Sequence, residues 1–231
     1  FFYFCTTNFS DFMKKNIVLF VLFILPIVAY MFFASGVNSF ITLPTITPTI
    51  PDVQENWTSL NGEKVTLNKK ITILGFAGNE ILKNKGNFFT LNQKIYNRNR
   101  EFKDFQMVFI APDGTQDQAR EVIKELSGLN PMTGYHFVFG KPDEIQAYFN
   151  AMKLLGKLDD KLGTPNVYII DKKRNLRGRK GRSVQGKPEY KEGYNTSLAG
   201  ELYNEMTDDV KIILAEYRLA LKRNHNATRE I

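Results

Sequence analysis

The chain has 231 residues, 43% of them hydrophobic, and 31 Lys and Arg against 24 Asp and Glu give it a formal charge of +7. That is enough for one globular domain and one membrane segment, and the dispersed basic excess comes with no nucleic-acid motif, so no nucleic-acid partner is expected. A single cysteine, Cys5, and two histidines, His136 and His225, exclude an intrachain disulfide, a dithiol redox cycle and a soft-metal site built from Cys and His; no cofactor is expected.

The first residue is Phe1, while Met13-Lys14-Lys15-Asn16 ahead of an apolar run reads as a natural start, which makes residues 1–12 an upstream extension. Ile17–Ala34 is an unbroken run of 18 apolar residues containing Pro26, the length of one membrane-spanning helix. Lys14 and Lys15 flank its start and no Lys or Arg follows before Lys64. The positive-inside bias therefore predicts a cytoplasmic N-terminus (1–16), an anchor or uncleaved signal (17–36) and everything later outside the cytoplasm, periplasmic in a bacterium. A signal cleaved at Ala34-Ser35-Gly36 is the alternative, although the run exceeds the usual 7–15 residues. Within residues 37–54, Ile41–Val53 has three prolines in eight positions and reads as a semi-rigid extended linker of ~3 Å per residue. The globular domain is then 55–224, with a tail at 225–231.

Trp57 to Leu67 alternates around Asn61-Gly62, a two-residue hairpin signal. Ile71–Phe76 is a short apolar run bounded by lysines and Gly78, predicting a strand buried on both faces. Phe88, Leu91, Ile95 and Phe102 predict a helix over about 87–100. A second buried strand covers Phe105–Ala111, followed by a helix over 116–126. A third strand covers Tyr135–Phe139, and Pro142-Asp143-Glu144 opens the next helix. Thr164-Pro165 precedes a fourth strand, Asn166–Asp171, and Leu176–Arg179 is a short last strand. Lys180–Gly193 reads as a surface loop. From Ser197 a long amphipathic helix carries Leu198, Leu202, Met206, Val210, Ile213, Leu214, Tyr217 and Leu221 on one side. This order argues an α/β domain with a mixed sheet, parallel crossovers and an antiparallel edge. Chemistry in such folds sits past the carboxyl end of a central strand, where this chain offers Asn79, Glu80 and Lys83.

Three landmarks carry a resemblance: the presumptive hairpin ahead of Ile-Thr-Ile-Leu-Gly-Phe, the second strand running into Ala-Pro-Asp-Gly-Thr-Gln-Asp, and Gly-Thr-Pro-Asn-Val-Tyr-Ile-Ile-Asp-Lys. With them, Trp57–Leu221 resembles the thioredoxin superfamily and, within it, the Sco/SenC-type copper chaperones. The resemblance implies a thioredoxin-like fold, a Cys-x-x-x-Cys just past Gly-Phe and a histidine ahead of the later strand. Those positions fall here near Asn79 and Lys83 and near Thr164-Pro165, so the family's ligands are missing. It also implies a cis-proline ahead of the fourth strand, where the residue before it pairs with an extended partner segment. Pro165 has the simpler reading of shaping the strand entry.

Other candidates have simple readings. His136 is a sheet histidine without a neighbouring ligand; Asp113, Asp117 and Glu121 cap and solvate a helix start, with a hard-cation site as the sharper alternative. Asp159-Asp160 sits on an exposed loop and becomes half of a paired-carboxylate site only if folding brings another acid close. Lys172, Lys173, Arg174, Arg177, Arg179, Lys180 and Arg182 read either as a solvated hairpin edge or as a basic surface for lipid headgroups or an acidic partner. Asn56, Asn195 and Asn226 begin glycosylation sequons. The expectation is a membrane protein, single-pass, with an extracytoplasmic, non-catalytic thioredoxin-like domain that binds or assembles a protein partner in the envelope. Asn79, Glu80, Lys83, Thr164 and Pro165 are its candidate rim. The alternative is a Sco-like copper chaperone or thiol-related assembly protein using non-standard ligands such as His136 and methionines.

Overall fold

The fold is built on β3 (Ile71–Ala77), whose seven residues are all buried. Alternate side chains leave opposite faces of a strand, so Ile71 and Ile73 enter one core and Leu74 and Phe76 the other. The computed structural model describes the backbone of residues 4–34, 42–181 and 190–223, and side chains within 16–31, 42–181 and 190–218.

β3 is followed by α2 (Lys85–Leu91), a π-helical turn at Asn92–Tyr96 and α3 (Asn97–Asn99), then β4 (Phe105–Pro112), α4 (Gln116–Ser127), β5 (Tyr135–Gly140) and α5 (Pro142–Ala151). β6 (Gly163–Ile170) and β7 (Leu176–Arg177) return antiparallel. β3, β4 and β5 run parallel in register, Ile73 beside Met107 and Met107 beside Tyr135. The strand order β7-β6-β3-β4-β5, with a parallel crossover on one side of β3 and an antiparallel pair on the other, is a thioredoxin-like α/β arrangement with a mixed central sheet. One core lies under α2, α4 and the C-terminal helix α7 (Thr207–Arg223), and the other lies under α5.

The structure corrects several expectations. Residues 42–53 do not stand clear of the domain as a linker: Leu43 and Ile50 are buried, and β1 (Thr45–Thr47) pairs with β7. The apolar residues between the prolines find hydrophobic partners, which outweighs any preference for a solvated extended spacer. The Asn61-Gly62 turn forms, with Gly62 at φ +72° and Ser59 Oγ donating to the Glu63 carbonyl at 2.6 Å, yet no hairpin follows. β2 (Thr58–Ser59) pairs with β5 instead. The Asp52 carboxylate draws the returning arm away, accepting from Thr66 Oγ1 and Leu67 N, both at 2.7 Å.

The fourth strand starts at Gly163, three residues earlier than expected. The Leu176–Arg179 strand breaks at Gly178, where a Cβ would lie 2.2 Å from Ile46 Cδ1 and from the Lys191 carbonyl oxygen. The expected loop Lys180–Gly193 contributes to strand pairs at its ends: β8 (Arg179–Lys180) joins β9 (Tyr190–Lys191), and just beyond it β10 (Tyr194–Asn195) joins β6. Arg182 lies outside the described residues. The last helical stretch begins with α6 (Ala199–Glu201) and a second π-helical turn, Leu202–Met206, before α7. Leu202, Met206, Val210, Ile213 and Leu214 are buried as expected, whereas Leu198 is 54% exposed because it precedes the helix; Leu221 lies outside the described side chains.

α1 (Phe4–Ala34) forms a unit of its own, within residues 1–40. Its described side chains, 16–31, are almost all exposed, including Ile17, Leu22, Phe23 and Met31. Among the described residues no helix is long and apolar enough to cross a membrane; the described side chains cover part of the Ile17–Ala34 run.

Candidate functional site

Where β3 ends, Gly78 turns the chain at φ +65°, and a Cβ there would lie 2.8 Å from the Gly163 backbone and the Lys161 carbonyl oxygen. Only glycine permits this approach of two backbones, which is sealed by Asn79 N donating to the Lys161 carbonyl at 2.9 Å. The facing loop is stapled by Asp159, whose Oδ1 accepts from Lys161 N at 2.9 Å and Gly163 N at 2.7 Å. Asp159 thus serves loop geometry rather than half of an acid–base pair.

Between the two loops lies a cleft of about 170 Å³. Its floor is apolar, from Gly75, Phe88, Phe109 and Val167, and its walls carry Asn79, Asn84, Asn87, Thr164, Thr196 and Ser197. The carboxamides of Asn79, Asn84 and Asn87 make no hydrogen bond to another described residue, so their donors and acceptors face solvent. Glu80, the acid at the rim, is held by Lys161 and, at 3.2 Å, by Lys83. Hydrogen bonds from Lys161 and then Lys83 lower its carboxyl pKa below the ordinary value. Neither Cys nor His lines the cleft.

Of the residues singled out in the sequence, Asn79, Glu80, Thr164 and Pro165 meet here, while Lys83 sits outside the cleft lining, against Glu80. The described residues contain no cis peptide, so Thr164–Pro165 is trans, unlike the arrangement the resemblance implied. The neighbouring ladder stops short of the Thr164 backbone, the group that the resemblance assigned to strand addition: β10 pairs with Asn166 and Val167, and its continuation reaches Pro165. The Pro165 carbonyl accepts from both N (2.8 Å) and Oγ1 (2.7 Å) of Thr196, extending the ladder made by β10. Asn84, Asn87, Lys161, Thr196 and Ser197 were not anticipated. The recurrence of asparagine at 79, 84 and 87, just after a glycine turn, was the available signal; Thr196 and Ser197 had none, since they arrive from a distant segment.

The expected basic surface does not form. Arg177 is buried, binding Asp171 Oδ2 at 2.9 Å, Glu216 Oε2 at 2.9 Å and the Leu43 carbonyl at 2.6 Å. Arg179 grips Asp209 with two bonds, at 2.8 and 2.9 Å, and Tyr194 donates its hydroxyl to the same carboxylate. Lys172 pairs with Asp104. Burial alone would raise the Asp171 pKa; bonds from Asn175, Arg177 and Lys173 overcome it and leave the group below its ordinary value. Burial opposes the Arg177 charge too, but Glu216 and Asp171 prevail and raise its pKa. Lys173 alone of the five stays exposed, beside the Arg174 turn. A cation buried without a partner is costly, and Lys172, Arg177 and Arg179 have partners.

His136 lies on β5, two strands from β3, and lines a second cavity of about 300 Å³ with Met132, Glu63 and Asn61. Burial lowers its pKa, with Glu63 opposing. Asp117 pairs with Arg120 at 2.5 Å, and among the described residues no group of three or more His, Cys, Asp or Glu side chains is arranged to hold a metal ion. Asn56 donates to Glu144 at 3.1 Å, Asn195 lies in β10, and Asn226 is outside the described residues.

No family model and no curated protein matches the chain. Among solved structures, a member of the Sco family of cytochrome c oxidase assembly proteins is 13% identical over 74% of this chain and 95% of its own, with a TM-score of 0.49. The copper-bound ScoI of Arabidopsis thaliana is 20% identical over 71% and 98%, at 0.42. A thiol:disulfide interchange protein from Chlorobium tepidum is 16% identical over 74% and 99%, at 0.46. The fold assignment rests on the strand order and pairing given above.

Proposed function

We propose that the chain is a membrane-anchored, extracytoplasmic binding protein whose thioredoxin-like domain receives a polypeptide segment of an envelope partner in the cleft at the end of β3. The role is binding or assembly of an envelope or respiratory complex. The observation that carries this is the free set of carboxamides, Asn79, Asn84 and Asn87, over an apolar floor, beside an acid whose charge is already matched. Carboxamides donate to and accept from a peptide group at once, and a floor of this size accommodates one apolar side chain. Docking proceeds through these side chains beside the Thr164 backbone, while Thr196 occupies the next carbonyl, that of Pro165.

The positions that correspond to the Sco ligands, near Asn79, Lys83 and Thr164-Pro165, supply carboxamide, ammonium and hydroxyl groups. These do not fit Cu(I), which selects thiolate, thioether and imidazole donors, and no thiolate stands there for exchange. The Ile17–Ala34 run, behind Lys14 and Lys15, supports an anchor with the domain outside the cytoplasm. Affinity capture from solubilised membranes tests the reading. The full chain retains a reproducible partner that the Asn84→Ala/Asn87→Ala variant loses; an unchanged partner set contradicts it.

A second reading, copper delivery through non-standard ligands, draws on His136 and Met132 lining one cavity. Titration of Cu(I) against a competing chelator separates the two. Tight one-to-one binding abolished by His136→Ala favours copper; its absence leaves the binding module.

A further inference from the structure

The two π-helical turns, Asn92–Tyr96 and Leu202–Met206, pack against each other and place a basic and aromatic cluster at the surface. Lys94 Nζ lies 5.4 Å from the centre of the Tyr203 ring and the Arg98 guanidinium 6.0 Å from it. Tyr203 is 55% exposed. Neither cation pairs with a carboxylate among the described residues. Glu201 and Glu205, which flank Tyr203 in the chain, share one partner, Lys191, at 2.8 and 2.6 Å, and neither reaches Lys94 or Arg98. Phe102, four residues past Arg98, leaves its ring 43% exposed, with the exposed Glu101 as the nearest acid in sequence. Cations left unpaired beside exposed amphipathic rings are the composition that lies at a bilayer's headgroup level, where phosphates meet the charge and the rings enter the acyl boundary.

A second observation selects a bilayer as the occupant. Residues 42–53 were expected to be a spacer but pack into the domain from Leu43 onward. The tether between Ala34 and Leu43 therefore has nine steps of at most ~3.4 Å, a reach of ~30 Å. In an anchored chain that reach keeps the headgroups within range of the domain at all times. We propose that the Lys94–Arg98–Tyr203 surface docks on anionic lipid headgroups. This rests on the anchor reading of Ile17–Ala34, and the basic surface once expected at 172–179 has no part in it.

The test uses the full chain with Cys5→Ser and Asn97→Cys, labelled at 97 with an environment-sensitive fluorophore, in liposomes of phosphatidylcholine alone or with phosphatidylglycerol. Docking predicts that phosphatidylglycerol protects the label from acrylamide, a neutral quencher, at low salt and that high salt removes the protection. Each cation contributes about fivefold to headgroup binding, so Lys94→Gln/Arg98→Gln weakens it about 25-fold. Equal quenching in the two liposomes, protection that the double variant keeps, or equal protection by soluble polyglutamate overturns the proposal. A chain left in the aqueous phase by phosphatidylcholine liposomes refutes the anchor instead. In that case protection of the soluble chain by added phosphatidylglycerol liposomes still supports docking, and its absence overturns it.

Discussion

Two charged regions of this molecule have opposite fates. At the end of β3, Glu80, Lys83 and Lys161 pair in the open, where water screens them, and free carboxamides stand next to them. Around β7 and β8, Arg177 and Arg179 are drawn inward and bound to Asp171, Glu216 and Asp209. The first region keeps its carboxamides unspent, as a binding site requires. The second is structural because both arginines are spent on buried carboxylates. A run of basic residues in a sequence therefore says little about surface charge until the acids that fold against it are known.

The contrast can be broken by mutation. Arg177→Ala leaves Asp171, fully buried, without its counter-ion, and should cost about 3 kcal/mol, read as a lowered urea midpoint. Gly78→Ala forces a Cβ onto the Gly163 backbone at φ +65° and should cost about 2 kcal/mol while deforming the cleft. Tyr194→Phe removes one bond to Asp209, which keeps Arg179, and should cost about 1 kcal/mol. Glu80→Gln should leave the urea midpoint unchanged, because exposed pairs contribute little.

Acid sharpens the same comparison. Asp171 and Glu80 are both depressed in the folded chain. Their contribution is present above the ordinary carboxylate value near pH 4 and lost as pH falls through the depressed folded values. Asp171→Asn should flatten the stability profile in that window, and Glu80→Gln should hardly alter it. His136 acts at higher pH. Its folded pKa lies below the ordinary 6.5, so the unfolded chain takes up the proton first, and stability falls as pH drops below that value. His136→Phe should remove that slope.

Much of the fold was legible because its elements carry their own signal. β3, β4 and β5 are apolar runs flanked by lysine, proline or glycine, and α4 and α5 show helical periodicity that their buried faces match. What was not legible depends on residues far apart in the chain. Leu43 and Ile50 look like linker residues until β7 is seen beside them. The Asn61-Gly62 turn loses its second arm to Asp52, a residue outside the hairpin window. Arg177 reads as surface until Glu216, 39 residues on, is brought against it. The site shows the same division: Asn79 and Glu80 follow from the end of β3, whereas Thr196 and Ser197 reach the cleft only through β10.

Site-specific photocrosslinking in intact membranes decides whether the cleft or the arginine-rich edge is the binding region. A benzoylphenylalanine at Asn87 should yield a discrete covalent adduct with a partner protein, and the same group at Lys173 should yield none. An adduct at Lys173 with none at Asn87 would contradict binding in the cleft.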